Sequence, residues 1–162
     1  MRIGGWGFSS GCLQETHAVS SADLQSWFSR FGFLCACSFG SVHSRGVAVL
    51  YRPIFECRSV VCEFDGHFVL VELAFRVASI YAPNRNPDCD DFLVCCVNAV
   101  DPTVPTLLCG DFNTVLDRVA DRRGSCPFDV FRESSVVLSG LFSDCCVVDI
   151  WRELHPGVSA FT

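Results

Sequence analysis

The chain has no lysine: all 12 of its basic residues are arginine. They form no basic run of the kind that addresses a protein to the nucleus. Eighteen acids stand against those 12, giving a formal net charge of -6 and a sequence pI near 5.0. A protein that grips phosphates over its whole surface would show a basic stripe, so that class is excluded. A local nucleic-acid site is not excluded, and an acidic balance fits a site that gathers carboxylates around a metal ion. No two of the 12 cysteines are spaced as Cys-x-x-Cys, which argues against a zinc site. No apolar run reaches the roughly 18 residues that a membrane span needs. The opening "MRIGGWGFSSGCLQ" has no apolar core and does not read as a signal peptide.

What is present is a core. The 162 residues are 50% hydrophobic and include 15 Phe, which excludes a disordered chain. Cys62, Cys95, Cys96, Cys109, Cys145 and Cys146 sit inside apolar runs. They read as small buried hydrophobes of a reducing compartment rather than of a secreted chain.

Met1 to Gly11 is rich in Gly and Ser and shows no period. Ser20 and Asp23 stand at capping-box spacing, and Leu24, Trp27, Phe28 and Phe31 then mark one apolar helical face, stopped by Gly32. "FLCACSF" (33–39) and "GVAVLYR" (46–52) read as strands. "RSVVCEFDGHFVLVEL" reads as a β-hairpin turning at Asp65-Gly66. From His67 to Tyr81 there is no Gly, Pro or Asn. Two strands there would need a turn that the residues do not display, so an internal deletion is the expectation. Phe92, Cys95, Cys96 and Ala99 give a second helical period, "VPTLLC" a short buried strand, and Leu138, Leu141, Phe142 and Cys145 a last helix. Strands alternating with helices predict a mixed sheet layered with helices, in one domain without repeats or linkers.

Three polar clusters each end an apolar segment: "CLQETH" with Glu15 and His17, "SIYAPN" with Tyr81 and Asn84, and "CGDFN" with Asp111 and Asn113. Sites in open α/β sheets gather at the carboxyl ends of strands. In extended backbone Asp111 and Asn113 point to one side, an acid and an amide suited to a phosphate ester. Glu15 is a candidate oxygen ligand for a hard cation. His43, His67 and His155 have no evident partner. "DRVADRRG" (117–124) reads as a solvated loop whose arginines could reach a phosphate backbone.

Taken in order, "LQETH", "SRGVAVLYRP", "VVCEFDGHFVL", "SIYAPNRNP", "VPTLLCGDFNTVLDR" and "VVDIWRELHP" resemble the endonuclease/exonuclease/phosphatase superfamily. Within it they are most similar to the apurinic/apyrimidinic-type endonuclease domain of LINE-type (non-LTR) retrotransposons. The resemblance implies an α/β (α+β) fold, a four-layer α/β sandwich of the DNase I-like type. It implies Mg²⁺-dependent cleavage of DNA phosphodiesters, with Mn²⁺ as the alternative metal, so that a reverse transcriptase can prime from the nick. By the same resemblance Glu15 holds the metal and Tyr81 contacts the scissile phosphate. Asn84 helps order the substrate site, Asp111 orients or deprotonates the attacking water, and Asn113 binds the phosphate. DNA and the parent element's reverse transcriptase region are the implied partners of a monomeric chain that needs no membrane.

Residues 1–11 match neither the apolar strand nor the Asn-containing turn with which that group begins. No counterpart of its closing Ser-Asp-His stands in the chain, since His155 lies in "LHPG". The expectation is a partial domain over 12–162, truncated at both ends, with an incomplete sandwich and weak or no activity. A phosphoesterase of the same superfamily acting on a phosphoinositide or sphingolipid is one alternative. A non-catalytic remnant or binding module is the other.

Overall fold

A computed structural model of the chain describes residues 9–41, 43–63, 65–84, 88–117, 121 and 132–158. In chain order the elements are β1 (Ser10–Leu13), α1 (Ser21–Ser29), β2 (Leu34–Ser38), β3 (Val47–Tyr51), β4 (Ser59–Glu63), β5 (Phe68–Glu72), β6 (Arg76–Tyr81), α2 (Asp88–Ala99), β7 (Thr106–Asp111), α3 (Arg132–Asp144) and α4 (Ile150–Leu154). They divide into two units. The first holds the chain through Tyr81 together with Val104–Asp111, and the second holds Ala82–Thr103 and the chain from Phe112 onward. No helix of the described residues is long and apolar enough to cross a membrane.

The first unit contains both sheets. One has the order β1-β3-β2 and the other β4-β5-β6-β7. Every pairing is antiparallel except that of β6 with β7. Position in the sheet explains the burial. β3 is flanked on both sides and is buried along its whole length. β4 is an edge and is exposed along its whole length. Between the sheets lies a core of Ala36, Val47, Val49, Tyr51, Val69, Val71, Leu73 and Val77, with Cys12, Phe55, Phe75 and Tyr81 packed against it. These are mostly β-branched side chains, which suit a pleated, covered surface. Phe68, Leu70, Ala78 and Ile80 are buried as well, so β5 and β6 are covered on both faces.

The hairpin turn forms where expected, with Asp65 and Gly66 both at positive φ. The turn that the residues do not display is nevertheless formed. The chain reverses between β5 and β6 over Leu73-Ala74-Phe75, where the Leu73 N–H donates to the Phe75 carbonyl at 2.8 Å. Glu72 and Arg76 then face each other as register partners and as an ion pair. The turn needs no Gly, Pro or Asn because packing holds it: Leu73 is 1% exposed and belongs to the core. The Gly/Ser-rich start is also less featureless than its composition, since β1 begins at Ser10.

α1 is capped as expected, with the Ser20 side chain accepting from the Asp23 N–H. Its apolar stripe is only partly covered: Leu24 and Phe28 are half-buried, while Trp27 is 68% exposed. In the second unit Cys89, Phe92, Leu93 and Cys96 form the buried side of α2, and Leu138, Leu141 and Cys145 are buried on and just after α3. The reading of the cysteines as buried needs correction. Cys96 and Cys145 are buried and Cys109 partly so, but Cys62, Cys95 and Cys146 are exposed, Cys62 because it lies on the edge strand.

β7 joins its neighbour unusually closely. Gly110 is the register partner of Ile80 and has a φ of +146°. A Cβ at that position would lie 1.9 Å from the Ile80 carbonyl oxygen. No side chain fits there, and the parallel pairing can run on to Asp111 only because residue 110 is glycine. Gly110→Ala is expected to lower stability by about 2–4 kcal/mol, measured as the shift in urea midpoint. Unchanged stability would contradict this packing.

Candidate active site

Tyr81 and Asp111 are the last residues of β6 and β7 and are register partners. The parallel pairing therefore delivers a phenol and a carboxylate side by side at the carboxyl ends of two adjacent strands, the edge where α/β sheets bind ligands. Asp111 is exposed and Tyr81 half-buried.

Glu15 reaches the same end from the other sheet. It sits in the loop after β1, and that loop is tied down at several points. The Gln14 amide donates to Ser79 Oγ at 3.0 Å, and Ser79 Oγ donates to the Leu13 carbonyl at 3.1 Å. The Thr16 and His17 N–H groups donate to the Gly46 and Arg45 carbonyls at 3.0 and 3.1 Å. Gly46 makes the second tie possible, since a Cβ there would lie 2.4 Å from Thr16 Oγ1. Glu15 and His17 themselves stand at φ 52° and 53°, a left-handed backbone held by these bonds.

The Glu15 carboxylate is the electrostatic focus of the loop. His17 Nε2 lies 2.6 Å from Glu15 Oε2, which also accepts from the Arg45 N–H at 3.4 Å. The Tyr81 hydroxyl is the largest influence on this carboxyl, and with His17 and Arg45 it holds the group below its ordinary value against a smaller opposing effect of burial. Glu15 thus reaches Tyr81, and Tyr81 stands beside Asp111, within one unit. His17 is half-exposed and engaged with Glu15.

The two asparagines belong to the second unit. Asn84 is exposed. Asn113 stands at φ 49° and its side-chain amide donates to the Ala82 carbonyl at 2.5 Å. That bond uses one of the amide's two N–H groups and fixes the plane of the side chain. Cys89 lies nearby, with its thiol 3.9 Å from the Phe112 carbonyl. Of the 117–124 stretch, only Asp117 and Asp121 are described, and Asp121 pairs with Arg152. The reading of its arginines as phosphate contacts lies outside the described residues. His155 is exposed at the end of α4 and packs on Trp151 at 4.1 Å.

Two features escaped the sequence reading. His67 packs on Tyr81, with ring centroids 5.7 Å apart and planes within 11°. The Cys12 and Cys109 thiols lie against each other. Their hydrogen bond holds Cys109 down to about 7, and the same contact with burial pushes Cys12 up. Spacing gave no signal for either pair, because each joins residues distant in sequence. Among the described residues no group of three or more His, Cys, Asp and Glu is placed to hold a metal ion.

The Endonuclease/Exonuclease/phosphatase family matches residues 11–157. A curated relative, the transposon TX1 uncharacterized 149 kDa protein of Xenopus laevis, is 28% identical over 170 residues. That match spans 96% of this chain and 12% of the transposon protein. Among solved structures the fold is similar to an AP endonuclease from Archaeoglobus fulgidus, with a TM-score of 0.72 at 20% identity. It is also similar to a 3′ phosphatase, NExo, from Neisseria bound to a product DNA hairpin, with a TM-score of 0.75 at 16% identity. The match covers 92% and 93% of this chain and 65% of each of those chains.

A lowered carboxyl makes a signed prediction. The contacts of ionised Glu15 contribute fully above its ordinary pKa of 4.5 and are lost as pH falls through the lower folded-state value. Glu15→Gln should therefore destabilise the chain at neutral pH, and the difference should shrink as pH drops below 4.5. Denaturant titrations of both chains across that range measure it. A difference that is constant with pH would show that these contacts do not depend on charge.

Proposed function

The chain belongs to the endonuclease/exonuclease/phosphatase family, and from that premise we propose that it is a DNA-nicking phosphodiesterase domain of a transposon protein. The observation that carries the reading is the meeting of Tyr81, Asp111 and Glu15 at one end of the two sheets. A phenol donor, an exposed carboxylate and an ionised second carboxylate are the groups that hydrolysis of a phosphodiester needs. The similarity to the TX1 protein favours DNA of a transposition target over a lipid phosphate as substrate.

Each residue then has a task. Asp111 accepts the proton of the attacking water or orients it. The Tyr81 hydroxyl donates to a phosphoryl oxygen and stabilises the charge that develops there. The family resemblance assigns Asn113 to binding phosphate and Asn84 to ordering the substrate site.

The metal needs a separate test against the residues. The absence of a cluster of three ligands among the described residues does not suit a cation held wholly by protein. One ionised, 40% exposed carboxylate at Glu15 does suit Mg²⁺, which keeps most of its waters and binds through one or two carboxylates and the substrate's phosphate. Glu15 would hold it, with Mn²⁺ as a substitute. When bound, the ion supplies neutralisation of phosphate charge and eases departure of the 3′ oxygen.

Supercoiled plasmid incubated with the purified chain should be nicked with Mg²⁺, and the nicking should vanish with EDTA and with Asp111→Ala. Nicking indifferent to either would contradict the site. Hydrolysis of a phosphoinositide in preference to DNA would move the chain to the lipid branch of its family.

A further inference from the structure

His67 touches the site, and the functional reading leaves it without a role. It precedes β5 by one residue, and the β5–β6 register, Phe68 opposite Ile80, carries on to set His67 against Tyr81. Three contacts join them. The Tyr81 N–H donates to the His67 carbonyl at 2.8 Å. The two rings stack at 5.7 Å and 11°. His67 Nδ1 lies within hydrogen-bonding distance of the Tyr81 carbonyl. One imidazole therefore holds both the backbone and the ring of the tyrosine.

The partner also fixes the imidazole's chemistry. A carbonyl oxygen only accepts, so Nδ1 must carry a proton for this bond to exist. A tyrosine at the last position of a strand would otherwise retain rotation about its side-chain bonds, which costs free energy to freeze. The stacked imidazole removes that freedom before substrate arrives, as preorganised donors require. The far end of the same phenol is the group that most strongly influences Glu15.

We propose that His67 is a positioning residue, which orients Tyr81 through the ring stack and the Nδ1–H bond to the Tyr81 carbonyl so that the phenol faces the phosphate. This deepens the proposed reading, and its effect on cleavage rests on that reading. Its effect on Tyr81 does not.

The chain has only two tyrosines and four histidines, so selective labelling gives readable spectra. In tyrosine labelled with ¹³C at Cζ, Tyr81→Phe assigns the two resonances. His67→Ala should move the Tyr81 resonance and leave that of Tyr51 in place. His67→Phe, which keeps the ring face, and His67→Asn, which keeps a donor, should each restore part of the wild-type position. In ¹⁵N-histidine spectra of the unaltered chain, His67 should be protonated at Nδ1. In the nicking assay His67→Ala should lower kcat at least about tenfold with KM changed by less than about threefold.

A Tyr81 resonance unmoved in His67→Ala would overturn the proposal. So would a His67 protonated only at Nε2, a result that needs no variant to fold. If the unaltered chain cleaves nothing, the functional reading fails, while the Tyr81 and His67 signals still decide this inference.

Discussion

Everything at the candidate site hangs on the one parallel pairing in the molecule's described sheets, that of β6 with β7. Antiparallel neighbours run opposite ways, so their carboxyl ends fall at opposite edges of a sheet. Only a parallel pair can bring two carboxyl ends together. Here those ends are Tyr81 and Asp111, and the pair reaches them because Gly110 lets the backbone pass against Ile80 where no side chain fits. The short motif of a strand running into Gly-Asp is thus a packing device first. The aspartate is useful because the glycine before it keeps β7 in register up to the end.

From that pair the arrangement grows outward by ordinary contacts. The Tyr81 hydroxyl reaches Glu15, and the loop bearing Glu15 is pinned by Gln14 to β6 and by Thr16 and His17 to the residues before β3. Two sheets that share a core also share a rim. A carboxylate from one and a phenol with a carboxylate from the other meet there, without any of the three being close in sequence.

How much of this was readable from residues alone follows from where the information lies. The helix start at Ser20, the hairpin turn at Asp65-Gly66 and the strands at 33–39 and 46–52 were legible because local chemistry decides them. The turn at Leu73-Ala74-Phe75 was not, because the buried Leu73 holds it and no turn-forming residue does. Without the turn there is no β5–β6 register, and without the register His67 has no partner, so it looked like a histidine without a role. Exposure of Cys62 was hidden for a related reason: hydrophobicity gives the period of a strand but not whether it is an edge. Glu15, Tyr81 and Asp111 were legible because each closes an apolar segment, and the ordered motifs then gave them a family.

The proposed function requires that Glu15, Tyr81 and Asp111 form one phosphate-handling site. A crystal of the chain with Mn²⁺ and a short DNA duplex tests it most directly, because manganese is located by its anomalous scattering. The metal is expected on the Glu15 carboxylate, with a DNA phosphate between it and the Tyr81 hydroxyl and Asp111 beside that phosphate. Metal bound away from Glu15, or DNA seated with no phosphate near Tyr81 and Asp111, would contradict it.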